Sequence, residues 1–497
     1  MNVIQISACA IIIVLLIKYL RKPKDKRFYE LLERFPSYRK YLLIGNANML
    51  FGPLDDVRAR FENIFKLHHR VLFWLGPTPC LLLKKYDDIA TILIQSSHRD
   101  FLGAGDEWLG TSILSGPYEE WKKSIKMLGP AFSPKMLTKY EEVFKSNSLE
   151  LVEKLKPVAN SGKEFDVWEL MMKATLDVVT ETSFGVSIKT SGRIGEQFCT
   201  AVHDTIELIM KRIQFPWLML THINWLYLIM IGKTDSIHNF QHYPTTVLRK
   251  SIEDYQNSRR DNDAFDQVDK SKAVIDSLVR YSFKEPDVTE TRMRDELLGL
   301  MGASVETSPL NTSFIMLMMA MHQDIQQKVY EEISKFETDD GILTQHDIYN
   351  NMPYLEQCIK ESLRMFSPVA LTNRRIHKDI VLKDGMIVPK NTFVVTFITF
   401  ANYDPDLYKN PDKYDPEHFT EEAIKARPKI SDLSLGVGPR PCIGGKYAMM
   451  FNKTQMAYIL LNYHISTRVK EFTKDHLNMG LGIKSKIGYP LIFTSRR

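Results

Sequence analysis

Residues 435–445, LGVGPRPCIGG, constrain this chain more than any other stretch. Gly436, Gly438, Gly444 and Gly445 allow positive φ and let backbone pass close to whatever lies beside it. Pro439 and Pro441 stiffen the loop and remove donors. A helical pattern begins near Lys446, so Cys442 stands just ahead of a helix, where free backbone N–H groups can stabilise a thiolate. A cysteine in a glycine-rich turn is more often a small buried apolar side chain. Its role therefore turns on the rest of the sequence. The chain has five cysteines, widely spaced and without a CxxC pair. That excludes a disulfide framework and a structural zinc site, and fits a reducing compartment.

The organisation is readable from periodicity. VLFWL and CLLLK, either side of GPTP (71–84), read as two short strands around a turn. Helical periodicity then dominates to about residue 366, with one long helix over about 295–336. A polar stretch at 253–272 reads as an exposed loop. Beyond 366, DIVLKDGMIVP carries an Asp384-Gly385 hairpin turn and NTFVVTFITF reads as a strand. A Pro/Asp-rich coil follows over 403–419, and GIKSKIGYPLIF reads as a last hairpin. The expected fold class is mainly α with small β-sheets (α+β) and long ordered coils, which usually wrap something functional. With 44% hydrophobic residues a large core is available, and a net charge of +5 on 497 residues gives no sign of a nucleic-acid partner.

The N-terminus suggests a membrane. Residues 3–17 are apolar, Tyr19 and Leu20 extend them past Lys18, and the run approaches the ~20 residues of a span. Lys18, Arg21, Lys22, Lys24, Lys26 and Arg27 follow, which keeps the remainder in the cytosol. A cleaved signal peptide would carry its charges on the other side. The expected layout is a transmembrane anchor over 1–20, a basic linker over 21–35 and one large domain over 36–497. The next most apolar run, 217–231, is interrupted by Thr221, His222 and Asn224.

With Gly438, Arg440, Cys442 and Gly444 at the right offsets, the cysteine loop resembles the haem-binding loop of the cytochrome P450 superfamily, F-x-x-G-x-R-x-C-x-G. The resemblance implies the P450 fold as a single large haem domain, with Cys442 as the axial thiolate on the haem iron and Arg440 facing a propionate. Leu435 departs from the family's Phe. Glu361 and Arg364 share a helix face and resemble the family's buried E-x-x-R pair, which braces the coil behind the haem. His418, in Pro416-Glu417-His418-Phe419, replaces the family's third member, an Arg. ASVETS (303–308) resembles the distal oxygen-binding motif, with Ser304 for Gly. Oxygen reduction consumes protons; there Thr307 can hold a water and Glu306 relay protons. Pro309 lacks an N–H and crowds the Val305 carbonyl, so a kink is expected at Glu306–Thr307. Trp121 opens the family's W-x-x-x-R, where Ile125 replaces Arg and Lys122 or Lys126 are the substitutes at hand. Arg374 falls where the family has another propionate-binding Arg, and Asn402 where many members have His. GPRPCIGGKYAM is most similar to the animal family-4 group, insect-type members above all. Ala303 stands where mammalian-type members esterify haem through Glu, so the resemblance implies non-covalent haem b.

The resemblance further implies a haem-thiolate monooxygenase on the endoplasmic reticulum membrane, single-pass, with a cytosolic catalytic domain. It would insert one atom of O2 into a lipophilic small molecule. No G-x-G-x-x-G follows a strand, so electrons from NADPH would arrive through a separate NADPH–cytochrome P450 reductase, with cytochrome b5 as an accessory donor. Lys122, Lys123, Lys126 and Lys446 either meet that partner or form an ordinary solvated cluster. Substrate contacts are expected from 101–116, 204–228, 303–308, 369–372 and 481–483. Phe215, Trp217, Leu218, Leu220, Trp225, Leu226 and Tyr227 either pack as core or meet membrane lipid. Two other readings stay open. One is an oxygen-independent haem-thiolate isomerase or dehydratase, which the retained Glu306 and Thr307 disfavour. The other is a non-catalytic haem or ligand-binding relative, suggested by Ile125, Ser304, His418 and Leu435.

Overall fold

A computed structural model describes residues 25–41, 44–100, 105–261, 272–338, 341–479 and 482–496. The fold is mostly helical with small sheets, as expected. Its main sheet has four strands in the order Arg70–Leu75, Thr78–Leu83, Phe393–Thr396, Thr372–Arg375. The first two form the expected hairpin, and Thr78–Leu83 runs parallel to Phe393–Thr396. Opposite ends of the chain are thereby joined in one sheet.

Two helices form the centre of the molecule. Thr307–Met321 is buried from Ser308 to Ala320, and Gly445–Asn462 is buried over most of its length. Buried side chains lie on all sides of both, which is the pattern of a helix enclosed by others, and Thr312 Oγ1 donates to Asn452 Oδ1 between them at 2.8 Å. Glu290–Ser304 enters this core, and Pro353–Met365 packs against both central helices.

Several expectations need correction. The long helix over 295–336 is three helices, Glu290–Ser304, Thr307–Met321 and Gln323–Ser334. The first break, at Val305–Glu306, is the expected kink. Pro309 is the third residue of the next helix, where a missing N–H leaves no helical bond unmade. The described part of 253–272 is not loop, because Thr234–Asp261 continues as helix through it. The strand at 391–400 ends early, and Ile398–Asn402 is helical. GIKSKIGYPLIF holds two strands that do not pair with each other. Ile483–Ser485 pairs with Leu477–Met479, whereas Pro490–Ser495 pairs with Tyr463–Ser466 and Phe165–Asp166. Residues 21–24 of the expected linker lie outside the described residues. Lys26–Leu32 is a helix, and Leu31, Leu32 and Phe35 are buried. The anchor at 1–20 lies outside the described residues, among which no helix is long and apolar enough to cross a membrane.

The coil over 403–419 is ordered by one buried ion pair. Arg364 Nε and Nη2 donate to the two Glu361 carboxylate oxygens at 2.7 and 2.8 Å, and neither side chain has any solvent access. Nη1 donates to the Asn402 carbonyl at 2.8 Å and Nη2 to that of Lys413 at 3.4 Å. Glu361 Oε1 also accepts the Asp415 N–H at 2.9 Å and faces His418 Nδ1 at 3.1 Å. His418 thus fills the third place of the brace. Its Nε2 faces the Lys409 carbonyl at 2.7 Å, so both ring nitrogens meet oxygen atoms. Burial pushes the Glu361 carboxyl up, but hydrogen bonds from Arg364 and His418 hold it below the usual carboxylate range.

Glu361→Gln leaves a buried guanidinium without its anion and should lower unfolding free energy by about 3–5 kcal/mol in urea titrations. The pH dependence has a definite sign. A depressed carboxylate lends stability above its unfolded pKa of about 4.3 and loses it as pH falls through the lower folded value. That acid-side component should be missing from the variant.

Candidate active site around Cys442

The loop around Cys442 is fixed by its backbone. Cys442 N donates to the Leu435 carbonyl at 2.8 Å, and Gly436 N to that of Leu433 at 3.0 Å. Gly436 and Gly438 hold φ of +75° and +78°. A Cβ on Gly438 would lie 2.2 Å from the Leu93 carbonyl oxygen, so only glycine lets the loop lie against that helix end. Leu435 holds Cys442 through its carbonyl, a contact independent of its side chain. The backbone of Gly444, at the start of the next helix, favours charge on the Cys442 sulfur. Among the four described cysteines Cys442 alone is exposed, yet burial still pushes its thiol pKa up, against Gly444 and Arg99. Both hold when the sulfur looks into a recess inside the protein.

Three cations share that recess. Arg440 donates to the carbonyls of Ser97, Ile113 and Gly116 at 3.4, 3.1 and 3.3 Å, and lies 5.0 Å from the centre of the Trp121 ring. Arg374 donates to the carbonyls of Ser96 and Asn373 at 2.9 and 2.7 Å and to the Thr372 hydroxyl at 3.4 Å. None of these partners is anionic. Burial and then the charge of Arg99 lower Arg440 to about 9. Burial, Arg99 and Arg440 lower Arg374 to about 8. Arg99 is itself lowered by burial and partly offset by Cys442. Arg99 disfavours the charge of both Arg374 and Arg440, and Arg440 that of Arg374.

The distal helix break presents the other predicted pair. Thr307 Oγ1 donates to the Ala303 carbonyl at 2.8 Å, and the Glu306 carboxylate forms an ion pair with Lys484. Ser304 returns its hydroxyl to the Leu300 carbonyl at 2.7 Å, so it is satisfied within its own turn. Ile443, beside Cys442, packs with the apolar cluster that includes Met301 and Val305. The cysteine loop and the helix break therefore belong to one packed unit.

A family model described as cytochrome P450 matches residues 35–490. The chain belongs to the cytochrome P450 family. Curated relatives agree. It is 28% identical to cytochrome P450 4g1 of Drosophila melanogaster, over 88% of this chain and 85% of that one. It is 25% identical to cytochrome P450 4c21 of Blattella germanica, over 94% of each. Cytochrome P450 4ae1 of Drosophila melanogaster is 27% identical over 90% of this chain and 92% of its own. The insect family-4 resemblance is thus confirmed. As a P450, the protein is a monooxygenase of the oxidoreductase class, and its family's cofactor is haem b held by a cysteine thiolate.

The residues present fit that cofactor. Haem would offer iron to the sulfur and propionate carboxylates to Arg374 and Arg440, whose hydrogen-bond acceptors given above are neutral. Of the residues picked from sequence, Gly438, Arg440 and Gly444 lie in the Cys442 loop, Trp121 lies beside Arg440, and Arg374 is near enough to Arg440 to feel its charge. Ile125 is turned toward solvent, and neither lysine replaces it: Lys122 pairs with Glu119, and Lys126 is exposed. Arg99, missed in sequence, supplies the third cation instead. Asn402 turns from the recess and donates to the Arg364 carbonyl at 3.0 Å. Of the expected substrate contacts, Asp204 is buried against Lys233 and Ser236, while 101–104 and Leu481 lie outside the described residues.

Gly438→Ala combines an unfavourable left-handed backbone with a clash against a carbonyl that cannot step aside. It should cost roughly 2–5 kcal/mol, the sum of the two effects, measured by thermal unfolding. Gly445→Ala, whose Cβ would make only ordinary contact with Leu435, serves as the mild comparison.

Proposed function

We propose that this P450 inserts one atom of O2 into a lipophilic small molecule, with electrons from NADPH delivered by a separate membrane-bound reductase. One observation carries the reading: the accessible sulfur of Cys442 shares a recess with Arg99, Arg374 and Arg440, a donor set for an iron porphyrin and its carboxylates. Cys442 would hold the haem iron as a thiolate, since coordination deprotonates a thiol outright, with the Gly444 backbone favouring charge on the sulfur. Arg99, Arg374 and Arg440 would hold the propionates, with Trp121 beside Arg440. When bound, haem supplies the oxygen chemistry: one atom enters the substrate and the other leaves as water, consuming two electrons and two protons. Thr307 holds water near that chemistry and Glu306 passes protons to it. Their retention favours monooxygenation over isomerisation. Glu361, Arg364 and His418 act at a distance, by fixing the coil that precedes the cysteine loop.

A membrane setting has support from the surface. In the 215–231 segment Leu218 and Leu228 are buried, but Trp217, Leu220, Trp225, Leu226, Ile229 and Met230 are exposed. An apolar patch of this kind marks a lipid or partner contact. We therefore assign an anchor over 1–20, a short basic segment after it, the haem domain over the remainder, and an endoplasmic reticulum location facing the cytosol. For the reductase, and cytochrome b5 as accessory donor, Lys126 and Lys446 are exposed, whereas Lys122 and Lys123 pair with Glu119 and Glu120.

Reconstitution in phospholipid vesicles with NADPH, reductase and 18O2 tests the proposal against a panel of a fatty acid, an alkane and a terpenoid. Product should carry one labelled oxygen atom and vanish without reductase. Product formed without NADPH would instead support the isomerase reading. Lys126→Glu with Lys446→Glu should raise the reductase concentration needed for half-maximal turnover.

A further inference from the structure

Lys484 belongs to none of the motifs in the sequence. It lies in the strand Ile483–Ser485, opposite Asn478 of the strand Leu477–Met479. From there its ammonium reaches Glu306 in the distal helix break and forms a close ion pair. Glu306 is only 14% exposed and Lys484 40%, so water weakens this contact less than it would at the open surface. The lysine also lies 5.5 Å from the centre of the Trp168 ring.

The strand is held against the distal helix by close packing. A Cβ on Gly482 would lie 2.5 Å from the Pro368 carbonyl oxygen and 3.0 Å from Leu310 Cδ1. Gly482 thus lets the strand lie on the helix that begins at Thr307. The position of this strand decides whether Lys484 can reach Glu306. On the other side of the break, Thr307 Oγ1 is donated to the Ala303 carbonyl. The acid and the hydroxyl of one motif therefore hold different partners. The Glu306 oxygen that accepts from this ammonium is not available to carry a proton toward Thr307 while the contact lasts.

We infer that Lys484 is a positioning residue: it holds Glu306 off the proton path until the Ile483–Ser485 strand shifts, so that this strand, next to the turn expected to touch substrate, times proton supply. The inference rests on the relay role proposed for Glu306. It makes the substrate-free enzyme hold back the proton-consuming leak, NADPH + H+ + O2 → NADP+ + H2O2.

The test uses the haem-loaded full chain with reductase and NADPH, without substrate. Lys484→Met keeps the aliphatic stem over Trp168 and removes the charge. Peroxide release should rise severalfold, Lys484→Arg should restore the wild-type rate, and the rise should vanish in Glu306→Gln/Lys484→Met. Independently of turnover, amide hydrogen exchange in the Leu477–Met479 and Ile483–Ser485 strands should quicken equally in Lys484→Met and Glu306→Gln, and no further in the double variant. Wild-type leak and exchange in Lys484→Met would overturn the inference, as would a leak that persists without the Glu306 carboxylate. Glu306→Gln with unaltered product formation would instead remove the relay role beneath it.

Discussion

A guanidinium deprived of all solvent must find an anion and fill its donors, or the surrounding fold pays its desolvation in full. Arg364 meets both demands with Glu361 and the carbonyls of Asn402 and Lys413. Asn402 ends the short helix Ile398–Asn402 and Lys413 lies in the irregular coil after it, so the ion pair ties that coil to the helix end it leaves. His418 ties the end of the same stretch to the same carboxylate. Exposed pairs such as Lys26–Glu30 have no such leverage, being worth at most about 1 kcal/mol.

The arginines near Cys442 make the opposite electrostatic case. Arg364 has its anion within the protein and therefore works as structure. Arg374 and Arg440 end on neutral carbonyls and a hydroxyl, and Arg99 disfavours the charge of both. An anionic group bound beside them would stabilise the folded chain by mass action. The same residue type therefore serves two ends, and whether a carboxylate lies beside it in the chain decides which. The cysteine loop follows this logic at shorter range. Its backbone is fixed by the Leu435 carbonyl and by the close pass of Gly438 beneath Leu93, while its sulfur is left facing the recess.

What the sequence revealed and what it concealed divide along physical lines. The cysteine loop, the E-x-x-R pair and the kink before Pro309 were legible because each is local: a fixed spacing, a helix face, a residue without an N–H. The first hairpin was legible for the same reason. The final strands were not, since Ile483–Ser485 and Pro490–Ser495 look like a hairpin in sequence but pair with partners elsewhere. Arg99 gave no signal of its own. It lies far in sequence from Arg374 and Arg440, and only the fold unites their charges. Lys484 was hidden in the same way. Ile125 pointed to a missing cation, and the structure supplies one from a different segment rather than from the neighbouring lysines.

All of this converges on sulfur coordination by Cys442, proposed here as the anchor of the haem. The most direct measurement is the carbon monoxide difference spectrum of the reduced protein, taken for wild type and for Cys442→Ser with haem supplied to both. The account predicts a thiolate-type Soret band in the wild type and its loss in the serine variant. An unchanged thiolate-type band in Cys442→Ser would contradict it.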